Sequence, residues 1–416
     1  MTRKYATPSG HWGMPVEIPY AMAVQAGDLI FTCGQCDFDD HGRVLNPGQL
    51  WAQTAVVMGH LERVLAELGA GLEDLVRLSV FYVNDGALDE DAYLGRIGAL
   101  LPQGPGPGPV VVALPLPYFC YPGMMVEIDA VAMLGPDGER LPRGAAAAPG
   151  APPLAPPFVH GLRCGEMIFL GGHTPLEASG AVLSPGQVAP QTEIVLEALA
   201  GTLAGFGAEL ADTVKLNTTY TAAASVADWE ANARLRARAF PDPGPAATGI
   251  PLPALWPPGA TIRIELMAMR GADGAPLARR HLRPEGHWDW PTPMPFTMAL
   301  ECRDKVFVGG QVSLDSRGGV VDAGELEAQT GTSMAYLARA LAGFGLGFDD
   351  IVKVNTFYRG AIDDGRLHRN LAIRSGHFRR PGPASTGVAV PALAYPGLEI
   401  EIEAIAVTDR SAERAT

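Results

Sequence analysis

The stretch YPGLEIEIEAIAV, residues 395–407, decides how the chain is built, because it is written three times. YPGMMVEIDAVAM occupies 121–133 and PPGATIRIELMAM occupies 257–269. Each copy joins a Pro-Gly turn signal to a run of strand-forming residues. Working outward, further markers recur. GDLIFTCGQ (27–35) returns as GEMIFLGGH (165–173) and RDKVFVGGQ (303–311). DLVRLSVFY from Asp74 returns as DTVKLNTTY from Asp212 and DIVKVNTFY from Asp350. Gly34, Gly172 and Gly310 are 138 residues apart, as are Gln53, Gln191 and Gln329. So many markers at one period mean tandem copies of a single domain.

The period divides the chain into units 1–138, 139–276 and 277–416. Unit two starts with the Ala/Pro-rich segment 142–157, read as a stiff linker. Residues 271–284 read as a second linker, and the chain from Thr408 reads as a frayed tail. Within a unit the pattern approximates β-β-α-β-α-β-β. Val57, Leu61, Val64, Leu65 and Leu68 make a helical apolar face that Met334, Leu337, Leu341 and Phe344 repeat. Gly69, Gly207 and Gly345 stand where C-caps should. The expected fold is therefore α+β, a mostly antiparallel sheet with two helices on one face. The other face needs cover. Three copies supply it by packing around a pseudo-threefold axis, although a linear row of units would use the same sequence.

Composition limits the function classes. The chain has 416 residues, 47% of them apolar and 18% charged, with a net charge of −14. The acidic balance speaks against nucleic acid or an anionic membrane as partner. No apolar run reaches the roughly 18 residues of a membrane span, and the N-terminus lacks a signal-peptide core, so a cytoplasmic location is expected. Five scattered cysteines (33, 36, 120, 164 and 302) read as reduced, buried thiols. Cys33 and Cys36 have thioredoxin spacing, but a polar run follows where a redox pair needs a helix. The nine histidines show no metal-ligand spacing, and no P-loop, dinucleotide fingerprint or nucleophile elbow is present. No cofactor or metal is expected.

With these motifs on the page, each unit resembles the RidA (YjgF) family. The resemblance rests on the entries Pro19-Tyr20, Pro157-Phe158 and Pro295-Phe296, the GGQ-type strand, DIVKVNTFY and the closing strand, and it covers essentially the whole chain. It implies chorismate-mutase-like units packed as a pseudo-trimer, with clefts between units that bind imines or enamines. In such clefts an arginine pairs with the substrate carboxylate and a glutamate directs water to the imine carbon. The resemblance places the arginine at Ser385, Ala247 and Val111, so all three copies lack it, and a typical 2-imino acid deaminase is not expected. It places the glutamate at Glu127 and Glu401, with Arg263 in unit two. The cleft aromatic falls on Tyr20, Phe158 and Phe296, the second-helix asparagine on Asn232 and Asn370 (Leu94 in unit one), and the small strand residue on Cys33, Gly171 and Gly309.

Each candidate has a structural alternative. Glu127 and Glu401 are general acid/base candidates or members of an alternating strand whose acids face solvent, as Glu399 and Glu403 would. Arg263 supplies the lost cation or forms an ion pair inside the bundle. His173, replacing Gln35 and Gln311, is a proton shuttle or, more in keeping with a lone strand histidine, a hydrogen-bonded structural residue. The doublets His11-Trp12 and His287-Trp288 shape pockets or staple a segment to the sheet. Arg77, Lys215 and Lys353 share a strand face with Ser79, Asn217 and Asn355, and that face turns to the axis or to solvent. Two functions stand. One is an enzyme acting on a small reactive imine, enamine or carbonyl compound, with Glu127, Glu401, Asn232 and Asn370 catalytic, and Tyr20, Phe158, Phe296, Cys33, Ser385, Arg263 and His173 binding substrate. The other is a non-catalytic pseudo-trimer that binds a small molecule or protein. The expected partner is a small molecule, and the expected state a monomeric pseudo-trimer or a further homodimer.

Overall fold

A computed structural model describes residues 3–84, 86–104, 106–135, 137–221 and 226–408. Unit one runs β1 (Lys4–Ala6), β2 (Tyr20–Ala21), β3 (Ala23–Ala26), β4 (Leu29–Thr32), α1 (Leu50–Ala66), β5 (Leu75–Val83), α2 (Glu90–Gly98), β6 (Val110–Leu116) and β7 (Val126–Met133). Unit two follows with β8 (Arg143–Ala146), β9 (Gly161–Cys164), β10 (Met167–His173), α3 (Val188–Ala204), β11 (Thr213–Thr221), α4 (Val226–Arg238), β12 (Ala246–Leu252) and β13 (Ile262–Met269). Unit three comprises β14 (Arg279–Leu282), β15 (Ala299–Cys302), β16 (Lys305–Val312), α5 (Leu326–Ala342), β17 (Ile351–Arg359), α6 (Asp364–Ser375), β18 (Gly382–Val390) and β19 (Ile400–Val407).

The three sheets share one topology. Their orders are β1-β3-β4-β7-β5-β6, β8-β9-β10-β13-β11-β12 and β14-β15-β16-β19-β17-β18, the last extended by β2 of unit one. Neighbours are antiparallel except β5/β6, β11/β12 and β17/β18, which α2, α4 and α6 connect as crossovers. β2 pairs parallel with β18, Tyr20 opposite Gly382, so the first unit is laced into the third.

Both linker readings need correction. Arg143–Ala146 pairs with β9 and Arg279–Leu282 with β15, which gives each unit an edge strand that the sequence pattern omits. Edge pairing uses backbone N–H and C=O groups that any residue but proline carries, so a short RGAA or RRHL gives no periodic signal. The tail reading starts one residue early. Thr408 is buried and its N–H donates to the Asp304 carbonyl, while 409–416 lie outside the described residues.

Alternation divides every sheet into two faces. One packs under the helices, where Val57, Leu61 and Val64 of α1 meet Ile30, Leu78, Val80 and Ile128. Gly69, Gly207 and Gly345, all at positive φ, turn the chain out of the first helix of each unit. The other faces pack together, joining Phe31 and Val131 of unit one to Phe169 and Met267 of unit two and Phe307 and Ile405 of unit three.

Inside this shared core lie three inter-unit ion pairs. Arg77 reaches Glu265 of unit two at 2.7 Å, Lys215 reaches Glu403 of unit three at 2.7 Å, and Lys353 reaches Asp129 of unit one at 2.9 Å. Each unit gives one cation to the next and receives one, and the cycle closes. A linear row would leave an unmatched end. The cationic strand face therefore turns to the axis. Glu399 and Glu403, expected at solvent, are buried: Glu403 serves the ring, and Glu399 takes Arg359 at 2.7 Å and also binds Arg366.

Breaking a buried pair strands the surviving charge, at a cost of about 3–5 kcal/mol. Lys353→Met is expected to lower the unfolding free energy by that amount in urea titration. Arg379→Gln, an exposed surface change, should stay within about 0.5 kcal/mol.

Candidate functional site

Three recesses open where neighbouring units meet, built from equivalent strand and helix positions. On β7, Glu127 and Asp129 lie two residues apart on the inner face. Burial alone would raise the Asp129 carboxyl, but the Lys353 and Arg77 charges bring it below the usual carboxylate range. Glu127 has no such cation in contact. Burial pushes it up to about 8, the Asp129 charge adds to the rise, and Lys353 and the Gly387 N–H oppose it only in part. On β19 the same division appears: Glu403 is held low by Lys215 against its burial, and Glu401 is pushed up to about 8 by burial and by Glu403. Adjacent acids driven apart in this way leave one ionised and one carrying its proton at neutral pH.

The first recess lies between units one and three. Glu127 lines it from β7, Tyr20 from β2 and Cys33 and Cys36 from the strand-exit loop, while Ser385 and Gly387 of β18 and Arg374 of α6 come from unit three. Arg374 is only 1% exposed, its Nε donates to Asn370 Oδ1 at 2.8 Å, and neither Nη1 nor Nη2 has a hydrogen-bond partner. The Tyr20 hydroxyl is likewise buried without a partner. Trp12, Phe38, Phe119 and Tyr121 wall the recess with rings, and Met14, Met22 and Met124 with thioethers.

The second recess lies between units two and three, with Glu401 facing Arg236 of α4 among Trp288, Trp290 and Phe296. Burial brings the Arg236 guanidinium down to about 10. Its Nε donates to Asn232 Oδ1 at 3.2 Å and its Nη1 to Thr218 Oγ1 at 2.9 Å.

The third recess, between units one and two, is wired differently. Arg263 replaces the glutamate, and its guanidinium grips Glu90 of α2 at 2.6 and 3.2 Å, with further bonds to the carbonyls of Ala113 and Trp256. Glu90 also accepts the Tyr82 hydroxyl at 2.5 Å. Gly98 stands where α4 and α6 carry arginine, and a Cβ there would lie 2.2 Å from the Pro156 carbonyl. The Ala/Pro segment thus fills the space an arginine would need.

The strand glycines serve these sites. A Cβ at Gly34 would stand 1.7 Å from Glu127 Oε1, and one at Gly310 would stand 1.7 Å from Glu401 Oε1. Beside them, Gln35 Oε1 accepts from His11 Nε2 at 2.7 Å and Trp12 Nε1 at 3.0 Å, a clasp that Gln311, His287 and Trp288 repeat. The His-Trp doublet therefore staples its segment to the sheet and presents an indole to the recess.

The model of the Endoribonuclease L-PSP family, which comprises the RidA/YjgF proteins, matches the chain three times, at residues 14–134, 149–270 and 291–408. The chain belongs to the RidA family. It is 31% identical to the mitochondrial protein mmf2 of Schizosaccharomyces pombe over 115 residues, 27% of this chain and 86% of that protein. A RutC family protein of Pyrococcus abyssi is 31% identical over 86 residues, covering 20% of this chain and 68% of that one. A solved chorismatase structure, 15% identical with a TM-score of 0.51, covers 81% of this chain and 94% of its own, a likeness of fold.

Against the RidA pattern, Tyr20, Cys33, Glu127 and Ser385 meet in the first recess, and Phe296 and Glu401 in the second. Phe158 instead packs into the helical core of unit one beside Leu94 and Ile97. Asn232 and Asn370 sit behind the arginines, accepting from Nε. His173 lines the third recess, where its Nδ1 meets the Gly171 carbonyl at 2.9 Å and its Nε2 meets Thr202 Oγ1 at 3.1 Å, and burial drives its pKa down to about 4. Cys33 and Cys36 are free thiols; burial pushes Cys33 up to about 12 and Cys36 well above the usual thiol value. Among the described residues no three His, Cys, Asp or Glu side chains converge as a metal site, and no helix is long and apolar enough to cross a membrane. Sequence reading missed Arg236 and Arg374. Their signal was an i,i+4 pairing with the asparagines on the second helix.

Glu127 holds its proton in the folded protein up to about pH 8, whereas the unfolded chain loses it near 4.5. Its stabilising contribution is complete below 4.5 and is lost as pH rises through 8, at up to about 1.4 kcal/mol per pH unit for one linked proton. Glu127→Gln mimics the protonated form. Urea unfolding at pH 5 and pH 8 should therefore show a smaller fall in stability for the variant than for wild type.

Proposed function

We propose that the protein hydrolyses small reactive imines or enamines in its first and second inter-unit recesses, with Glu127 and Glu401 as general acids. The observation that carries this reading is a carboxyl held protonated to about pH 8 inside a recess lined from two units. Such a group donates at neutral pH where an ordinary carboxylate cannot. In the step proposed, the carboxyl protonates the imine nitrogen and water forms a bond to the imine carbon. The C–N bond then breaks, so that C=NH and water become C=O and ammonia, and the carboxyl regains its proton from the attacking water. Asn232 and Asn370 act as positioning residues through the arginines. The chain serves as its own pseudo-trimer, working on a small molecule in the cytoplasm.

The third recess carries the non-catalytic reading. There Arg263 stands in the glutamate's place and is paired with Glu90, so the recess has a structural part. The endoribonuclease in the family's description finds little support here, since a net charge of −14 repels a polyanion and a single guanidinium per recess cannot neutralise one.

The test is release of ammonia from freshly generated 2-iminopropanoate and 2-imino-3-phenylpropanoate. Wild type should accelerate release of at least one, with a rate that falls as pH rises through about 8. Glu127→Gln and Glu401→Gln together should reduce it by on the order of 100-fold. Rates equal to buffer with both substrates would replace hydrolysis by the binding function.

A further inference from the structure

We propose that the first recess holds a soft monovalent metal ion, of the copper(I) class, bound by the Cys33 thiolate and the Met22 thioether. This site goes beyond the hydrolysis reading and does not rest on it.

The distribution of sulfur points to it first. Cys33, Cys36 and Cys120 line this recess, three of the five cysteines in the chain, together with Met14, Met22 and Met124. The equivalent positions of unit three hold Gly309, Val312, Ala394, Trp290, Met298 and Leu398, so only one of the six keeps its sulfur. Among the described residues lining the second recess Met294 alone carries sulfur, and among those lining the third none does. A recess that needed only apolar filling would be served by side chains such as those of unit three. Polarisable sulfur gathered at one of three related seams suits a soft ligand.

Two of these sulfurs lie in contact. Cys33 Sγ donates to Met22 Sδ at 3.5 Å. Two metal–sulfur bonds of about 2.3 Å each span that gap, so a single ion can touch both. The three thiols do not converge with one another or with nearby acids as a ligand set of their own. That sets aside the tetrahedral thiolate site that zinc takes and leaves a thiol–thioether pair, the donor type that copper(I) prefers. Met22 is only partly buried, which gives an ion a route to the buried Cys33.

An outer contact is in place as well. Gln35 Nε2 donates to Cys33 Sγ at 3.0 Å, and the Gln35 Oε1 is held by His11 and Trp12. An amide N–H aimed at sulfur favours its charged, metal-binding form. In unit three glycine stands in the cysteine's place, and Gln311 Nε2 donates to the Gly309 carbonyl.

Charge limits the ion. Binding breaks the Cys33 S–H bond, forms a metal–sulfur bond and passes the proton to solvent, with no change of oxidation state. A monovalent ion and one thiolate make a neutral pair. A divalent ion would add net positive charge to a recess that already holds the buried Arg374 guanidinium.

The test uses the full, reduced chain. Silver(I) nitrate is titrated calorimetrically in chloride-free buffer, copper(I) is measured anaerobically in competition with bicinchoninate, and zinc(II) chloride is titrated alongside. One equivalent of silver(I) or copper(I) should bind per chain, about 100-fold or more tighter than zinc(II). Cys33→Gly should weaken silver(I) by about 100-fold and Met22→Leu by about tenfold. Glycine is the residue of the other two units at this position, Gly171 and Gly309, so Cys33→Gly should melt close to wild type without metal. Cys33→Ser, which keeps the size and removes the soft donor, should show the same loss. Met294→Leu, in the second recess, should bind as wild type does. The proposal is overturned if silver(I) fails to bind, if zinc(II) matches it, or if Cys33→Gly and Cys33→Ser bind it equally. None of these titrations reads ammonia release, so failure of the metal site leaves the hydrolysis reading standing, and the reverse holds too.

Discussion

Three buried cations, each handed by one unit to a carboxylate of the next, set the terms for everything else in this molecule. Arg77, Lys215 and Lys353 are desolvated inside an apolar core, where a charge without a partner is untenable. Each partner belongs to a different unit, so the pairs form only when the units close into a cycle. Closure buries the inner faces of all three sheets and creates the recesses at the seams. It also decides the chemistry in those recesses. In units one and three the acid that serves the ring is held low by its cation, and its charge, two residues along the same strand face, helps push the neighbouring acid up. Structural and reactive carboxyls are thus two outcomes of one register.

How much of this the sequence made legible depends on whether a feature repeats. The repeat itself, the helix faces, the strand DIVKVNTFY and the glutamates of the closing strands were readable because burial imposes period and position on side chains. The glycine of GGQ was visible as a marker, but its reason lies in three dimensions: the Glu127 or Glu401 carboxyl occupies the place of a Cβ. The edge strands β8 and β14 were missed because backbone pairing leaves no trace in side-chain pattern. Whether the basic face of the central strands met solvent or axis was open for a like reason. Alternation shows that Lys353 and Asn355 share a face without saying what covers it.

Arg374 shows a different limit. The search for a substrate cation looked where family resemblance places it, at Ser385, and found none. The structure brings a guanidinium to the same recess from the preceding helix, with Arg374 eleven residues before Ser385 in the chain. Asn370 and Arg374 are four apart on that helix, as are Asn232 and Arg236, so a pattern was present in two units. It carried little weight on sequence alone, because an Asn–Arg pair at this spacing is ordinary on any helix.

The fused chain uses its freedom from symmetry in a definite way. The first recess combines Glu127 of one unit with Arg374 of another, the second combines Glu401 with Arg236, and the third combines Arg263 with Gly98. Where the strand residue becomes arginine, the helix residue becomes glycine, and the count of one arginine per recess is kept. In a homotrimer a single gene sets all three copies of each position, so an acid lost in one recess is lost in all. Covalent linkage removes that restriction. The third seam can be locked by Arg263 and Glu90, adding a buried inter-unit pair, while the first keeps an uncompensated Arg374 and an acid held in its proton-bearing form. One seam gives up its acid for a lock, and the assembly can then tolerate the unpaired guanidinium buried at another.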